Sequence, residues 1–352
     1  MMEKLASLLE NDKVLLIERQ EDFSWLLKGR GHIGLASGKS CGALLISNND
    51  CILLSNNIEL QRLVNEEIKG EVIEYEFPWY DEAKRKEILD RLTAGRELID
   101  DTMLAAEFKK LRTTLTNPEK EHYKKAARLT GEAVESVCYR LKVGMTEYEA
   151  AGEVAKELYA RGLDPVVTLI GSDERLDGVR HFLPTLKPIK RKVIISVVSR
   201  SQGLMSSVTR TIYFEAPTEE EKRKMHAVQY VDAQLIAASK TGVSFSALFK
   251  NIQSWYEEAG FAGEWQNHHQ GGLTGFLPRE ERVMLSSSFE IGQNQAYAWN
   301  PSVPGAKSED TILLNENENE IITLTGNFPT TTFNVNGVSV VRPTYIQQTS
   351  WY

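Results

Sequence analysis

Apolar positions recur along this chain with two periods, near 2 and near 3.6, and the changes between them outline its elements. Leu5, Leu8 and Leu9 share one face of a helix over residues 3–10. Residues 14–17 (VLLI) are a short apolar run bounded by charge, which predicts a strand, and residues 22–27 predict a helical turn. The runs 41–46 and 51–54 flank Ser47-Asn48-Asn49-Asp50, a strand–turn–strand signal in which Asn and Asp supply the turn. Residues 57–68 return to helical spacing, and 72–75 predicts a further strand. Residues 81–112, rich in Lys, Arg, Glu and Leu, read as a helix, a break near Gly95 and a path into a second domain.

The second part opens with Thr116, Asn117 and Pro118, a helix start in which Thr or Asn caps and Pro suits the first position. Residues 118–141 then carry apolar side chains at spacings of three and four. Thr146 with Glu149 is a capping-box arrangement for a helix to about Ala160, stopped at Gly162. Strands are predicted at 166–170, within 191–198 and at 210–214. Helices are predicted at 218–240, with Thr218 as cap and three acids in its first turn, and at 244–259. The remainder has strand-like spacing at 295–299, 311–314, 320–324 and 331–341, with a polar turn at 315–320. This order predicts an α+β protein, helices outside and antiparallel strands forming the sheet. It places a small α/β domain over 1–112 and a larger domain over 118–352.

Composition narrows the function. With 352 residues, 41% of them hydrophobic and 26% charged, the chain is neither disordered nor a disulfide-built module. The formal net charge is −8 and there is no Lys/Arg-rich block, which argues against nucleic acid as a partner. Cys41, Cys51 and Cys138 form no CxxC pair, which fits a reducing, cytoplasmic setting and no thiolate metal cluster. No stretch approaches 18 uncharged apolar residues and the N-terminus lacks a long apolar core, so neither a membrane span nor a signal peptide is expected.

The chain has only six histidines, so each can be weighed. His32 lies in a glycine-rich loop that could reach a neighbouring site, while His122 and His226 read as surface residues of charged helices. His181 lies in a loop between two strands, a usual place for a functional side chain. His268-His269-Gln270-Gly271-Gly272 sets two imidazoles before two glycines that let the backbone approach a ligand closely. Arg279-Glu280-Glu281-Arg282 follows, equally readable as a solvated ion-pair run. Glu309 and Asp310 precede the apolar residues 312–314, which turns one acid inward and one outward. An inward carboxylate wants a cation, a metal or a substrate amine. Trp255, Trp265, Trp299 and Trp351 could line a pocket or fill core and interface.

These segments together resemble the creatinase/aminopeptidase P family, the pita-bread proteins that include prolidase and methionine aminopeptidase. The resemblance covers nearly the whole chain. It implies a creatinase-type N-terminal domain over 1–112 and, over 118–352, a pita-bread domain with two helix pairs on a curved antiparallel sheet. The family's metal-binding members use five ligands, and their positions can be followed here. Ser206-Ser207-Val208-Thr209-Arg210-Thr211 matches the Ser-Asp-x-Thr-Arg-Thr segment, so Ser207 stands at the second Asp and Ser196, eleven residues earlier, at the first. With His268 on the first His of the glycine-rich segment, the ligand His becomes Gly272 and the later His becomes Arg279, while Glu280 persists. Asn300-Pro301-Ser302 puts Asn300 at the Glu of Glu-Pro-Gly, and Glu309-Asp310-Thr311 keeps the last Glu.

Four of five ligands are thus replaced, and one carboxylate cannot neutralise two divalent ions. The resemblance therefore implies no metal and no other cofactor. It implies instead a creatinase-like, metal-independent hydrolase of a C–N bond in a small amino-acid-like or amidine substrate. His181 matches the proton-transfer His of creatinase and His268 a substrate-binding His. In this reading His181, His268 and Glu309 are catalytic, and Arg210, His269, Arg279, Glu280 and Asn300 bind substrate. A non-catalytic relative that holds a small ligand or protein in the old pocket, and an Xaa-Pro aminopeptidase or dipeptidase, are the alternatives. The family also implies a homodimer acting on a small molecule or short peptide.

Overall fold

The computed structural model describes residues 5, 13–47, 50–315 and 319–348. Apart from Leu5, the helix expected over 3–10 lies outside them, as do Asn48, Asn49, part of the 315–320 turn and Trp351. The chain divides into two compact units, Met1–Arg112 and Thr113–Tyr352. Its architecture is mixed α+β, an α/β N-terminal unit followed by a sheet-rich one.

The first unit contains β1 (Lys13–Arg19), α1 (Gln20–Leu27), β2 (Lys39–Ser47), β3 (Asp50–Asn56), β4 (Ile73–Phe77), α2 (Glu82–Thr93), β5 (Glu97–Asp100) and α3 (Ala105–Thr113). Its sheet runs β4-β3-β2-β1-β5. The three central strands are antiparallel, but both edge strands run parallel to their neighbours, against the all-antiparallel expectation. Strand β5 had no sequence signal, because four residues with one buried side chain show no period; pairing with β1 makes it a strand. The helix expected at 57–68 is one turn, Leu60–Arg62, and a π turn, Leu63–Glu67. Helix α2 stops where Ala94 and Gly95 adopt φ of 52° and 79°. His32 is buried, with Nδ1 2.9 Å from the Arg30 carbonyl oxygen, so it is spent on its own loop.

The second unit repeats one arrangement twice, a helix pair over a sheet. Helices α4 (Asn117–Cys138) and α5 (Glu147–Tyr159) cover β6 (Asp164–Ser172), β7 (Lys192–Ser201) and β8 (Leu204–Tyr213). Helices α6 (Glu219–Ala238) and α7 (Phe245–Glu258) cover a sheet containing β9 (Gly271–Thr274), β10 (Glu281–Arg282), β11 (Gln295–Trp299), β14 (Asp310–Leu314) and β15 (Asn319–Ile321). Between β11 and β14 lies a small hairpin, β12 (Ser302–Val303) and β13 (Ala306–Lys307). The expected strand at 331–341 is a hairpin, β16 (Thr330–Val335) and β17 (Val338–Pro343), with Asn336 and Gly337 both at positive φ. Strand β18 (Tyr345–Gln347) runs parallel to β8, a pairing that no local pattern announces.

Side-chain alternation decides what each sheet presents to its helices. On β7 and β8, Val193, Ile195, Val197, Val208 and Ile212 join the core under α4 and α5. Residues of opposite parity, Ser196, Ser207 and Thr209, lie on the other face, where Ser196 pairs with Thr209 across the strands. In the second sheet Leu273, Tyr297, Trp299, Ile312 and Leu314 pack under α6 and α7. The opposite parity carries Leu313 and, nearer the first sheet, small or polar residues, with Gly272 opposite Ala298 and Ala298 opposite Thr311. Backbone bonds from Met205 N to Gly275 O (2.8 Å) and from Thr209 N to Glu309 O (2.9 Å) join the two sheets. The second bond sets Glu309 against Ser196 and Thr209.

Three helices begin with full capping boxes, Thr116/Glu119, Thr146/Glu149 and Thr218/Glu221. Glu221 also receives Arg191 Nη1 at 2.7 Å, and this pairing holds its carboxyl down at about 2. A folded-state pKa below the ordinary carboxylate value gives stability that is complete above pH 4.5 and fades as pH falls toward 2. Glu221→Ala is therefore expected to cost about 1 kcal/mol in urea unfolding at pH 7. Its difference from the wild type should shrink as the titration is repeated toward pH 3; a constant difference would mean that the charge is not involved.

Candidate functional site

Glu309, the one carboxylate at the inherited positions, is buried and both its oxygens are engaged. Oε2 accepts from Lys307 Nζ at 2.8 Å, Ser196 Oγ at 3.0 Å and Thr209 Oγ1 at 2.9 Å. Oε1 accepts from Arg279 Nη2 at 2.9 Å. Lys307 Nζ also reaches Ser196 Oγ at 2.8 Å, and Arg279 Nη1 lies 3.4 Å from Ser207 Oγ. Burial pushes the Glu309 carboxyl up, but Lys307 and Arg279 outweigh it and hold the group well below the usual carboxylate range. Lys307, two residues before Glu309, has no role in the sequence reading; its bond to Ser196 sets the β12–β13 hairpin against β7.

Beside this cluster stand three imidazoles. His181 Nε2 and His268 Nε2 are 3.1 Å apart. The His268 and His269 rings stack at 4.4 Å and 24°, and His181 meets them at 5.0 and 6.1 Å between centroids. One ring nitrogen from each lies within 4.8 Å of the others. His181 is exposed, whereas His268 is buried. Burial, with Lys307 next, holds His268 down at about 2, and burial with Arg279 holds His269 at about 3. His181 is lowered by the same causes, burial first and then Lys307. All three rings are therefore neutral near pH 7. Nδ1 of His268 and Nδ1 of His269 are buried without a hydrogen-bond partner among the described residues.

Two contacts assemble this trio from distant loops. Arg180 Nη2 donates to Glu264 Oε2 at 2.6 Å, which ties the residue before His181 to the turn before His268. Gln270 accepts from Tyr256 at 2.8 Å and donates to the Trp265 carbonyl at 3.2 Å, which fixes the His268–His269 backbone. Neither contact has a sequence signature, since each joins residues whose pairing depends on the tertiary fold. Asn300 lies one residue beyond Trp299, which pairs with both Gly271 and Asp310. Its backbone nitrogen donates to Gln270 O at 3.1 Å, and its Oδ1 is buried without a partner among the described residues.

The other expected site residues lie elsewhere. Arg210 shares its parity with Val208 and Ile212, so it points to the helix side, fully buried. There its guanidinium pairs with Glu135 and Asp310, each at 3.0 Å. It therefore lies on the face opposite Ser207 and Thr209, in a buried ion-pair network. Glu280 Oε1 accepts from the backbone nitrogens of Phe276 and Leu277 at 3.1 and 3.2 Å, which ties it to its own turn. Of the two acids expected to turn opposite ways, Asp310 is buried as well as Glu309, with Arg210 at 3.0 Å and Arg342 at 2.7 Å. His226 is exposed against Phe333, while His122 is half-buried with Nε2 3.2 Å from Ser201 Oγ. Trp299 fills core and donates to Ser239 at 3.0 Å.

A family profile, metallopeptidase family M24, matches residues 121–316, more than half of the chain. The chain belongs to metallopeptidase family M24. An uncharacterized peptidase of Staphylococcus saprophyticus is 25% identical over 341 residues, covering 88% of this chain and 96% of its own length. A Xaa-Pro dipeptidase of Pyrococcus horikoshii is 25% identical over 274 residues, covering 74% of each chain. The fold resembles the crystal structure of the prolidase from Pyrococcus horikoshii OT3, with a TM-score of 0.77 at 21% identity, covering 92% of this chain and 98% of that one. The second unit of this M24 protein is accordingly a pita-bread-like domain.

The five inherited positions do not fit a pair of divalent ions. The only carboxylate, Glu309, already faces two protein cations. Gly272 cannot hold a ligating side chain, since at φ +150° a Cβ would lie 2.0 Å from the Glu281 carbonyl oxygen. Ser196, Ser207 and Asn300 offer neutral oxygens only. What this M24 protein has is an incomplete set at those positions and a separate histidine cluster beside it.

The ion-pair role of Arg210 is open to test. Arg210→Met leaves Glu135 and Asp310 facing each other without that cation, and is expected to cost about 3–5 kcal/mol in urea unfolding. A loss under 1 kcal/mol would mean that this buried ion pair adds little to stability.

Proposed function

We propose that this protein hydrolyses a C–N bond in a short-peptide or small amino-acid-like substrate without the metal pair that the family resemblance describes. The observation that carries the reading is the contact between two neutral imidazoles, His181 and His268, beside the fixed Lys307–Glu309–Arg279 cluster. One ring donates and the other accepts, so a proton can pass along the pair. On substrate binding, His181 takes a proton from water as its oxygen attacks the carbonyl or amidine carbon. The C–N bond then breaks and the leaving nitrogen receives that proton through His268, which restores both rings. Two cations against one carboxylate leave one net positive charge to face the oxygen or nitrogen that gains electron density. Asn300 Oδ1, buried and unpartnered, is an open acceptor for a substrate N–H.

The relatives named as Xaa-Pro dipeptidases favour a dipeptide ending in proline as the first substrate to try, with amidines of the creatine type second. The proposal includes a creatinase-type role for the first unit and a homodimer, since Leu183 and Leu186 beside His181 are 67% and 77% exposed. Light scattering on the eluted protein would show twice the 39.7 kDa chain mass, and a monomer would remove that part. The replaced ligand positions also favour a second reading, a relative that binds such molecules without cleaving them.

Mass-spectrometric assay of chelator-treated protein with both substrate classes separates the two. His181→Asn and His268→Asn are each expected to lower kcat by about a hundredfold or more, with unchanged melting temperature. Wild-type turnover no faster than the variants' would sink the hydrolase reading, and a dipeptide-induced rise in melting temperature would then support binding alone.

A further inference from the structure

We propose that His181, His268 and His269 form a site for one divalent ion of the zinc class, separate from the five inherited ligand positions. Nitrogens bound at the usual zinc distance on a tetrahedral ion sit about 3.3 Å apart. The His181–His268 pair, at 3.1 Å, already has that span, and the whole trio lies within 4.8 Å. Closing the third nitrogen needs a side-chain movement of about 1.5 Å, within the reach of ring rotation.

Two further observations point to a ligand here. Nδ1 of His269 is a buried polar atom with no partner among the described residues, a costly state that an ion bound there would relieve. The backbones that carry the rings are also braced from behind, by Arg180–Glu264 at 2.6 Å and by the Tyr256–Gln270 bond at 2.8 Å, so the rings are held near one another before any ion arrives. Three imidazoles with no thiolate select zinc, copper or nickel over magnesium and calcium. The exposed edge of His181 gives the ion a way in and leaves its fourth position to water. Lys307, Arg279 and Arg282 repel a dication and only Glu309 attracts it, so binding is expected on the order of micromolar.

An ion here takes the lone pairs that proton transfer needs. Zinc would therefore inhibit this family member, a consequence that rests on the hydrolase reading, whereas the binding itself does not.

The full-length protein, stripped with chelator, would be titrated with Zn2+ by calorimetry and analysed for bound metal by gel filtration in buffer that carries the same free Zn2+. One ion per chain is expected, weakened tenfold or more in His181→Asn, His268→Asn and His269→Asn, with its stoichiometry unchanged in Glu309→Gln. Co2+ should give the intense visible absorption of a tetrahedral site in the wild type, a readout that needs no variant. Retention of no ion overturns the proposal. So do two ions per chain that Glu309→Gln removes and His269→Asn leaves in place. If the site binds zinc but the stripped protein turns nothing over, the hydrolase reading fails and the metal site stands.

Discussion

The buried carboxylate of Glu309 constrains the centre of this fold more than any other group. A lone anion among packed strands would be costly, and some cation must face it. In this chain the cations are covalent parts of the protein, Lys307 Nζ and the Arg279 guanidinium, both within 3 Å. Lys307 comes from a short hairpin, and Arg279 from the turn between β9 and β10. Meeting Glu309 fixes both segments against β7 and β8. Removing either cation would leave the other paired and the carboxylate half-compensated, so the three groups act as one unit.

That unit changes what the site can do. An ion pair supplied by the chain is permanent, does not exchange with solvent and brings no bound water to activate. The groups able to move protons are the adjacent imidazoles, kept neutral by burial and by the neighbouring Lys307 and Arg279. Neutral rings can accept a proton or an ion with the same lone pair, so the two uses exclude each other. The histidine trio is thus the point at which catalysis, simple binding and metal occupancy part.

The wider frame serves this arrangement by alternation. Each sheet buries one parity of side chains under a helix pair, and around Glu309 the other parity presents Ser196, Ser207, Thr209, Thr311, Ala298 and Gly272. Small residues leave room there for long charged side chains arriving from loops. The same alternation takes Arg210 away from the site, since it shares parity with Val208 and Ile212 and meets Glu135 on α4. One step along β8, Thr209 reaches Glu309 instead.

Local physics made much of this legible in the chain itself. The three capping boxes, the helices of the second unit and the strands at 166–170 and 295–299 follow from periodicity and terminal residues, which act over a few positions. The replaced ligands at Ser196, Ser207 and Asn300 were readable too, because side-chain chemistry needs no neighbours to exclude a carboxylate. The alternation along β8 likewise sets the parity of Arg210 within the chain itself. Other features belonged to the tertiary structure alone. The parallel pairing of β5 and β18 and the salt bridge from Arg180 to Glu264 join residues with no local relation. So does the stationing of Lys307 on Glu309 through the folded hairpin. Composition and period determine what a segment can be; which distant charges end up facing each other is settled when the sheets close and leave them no water.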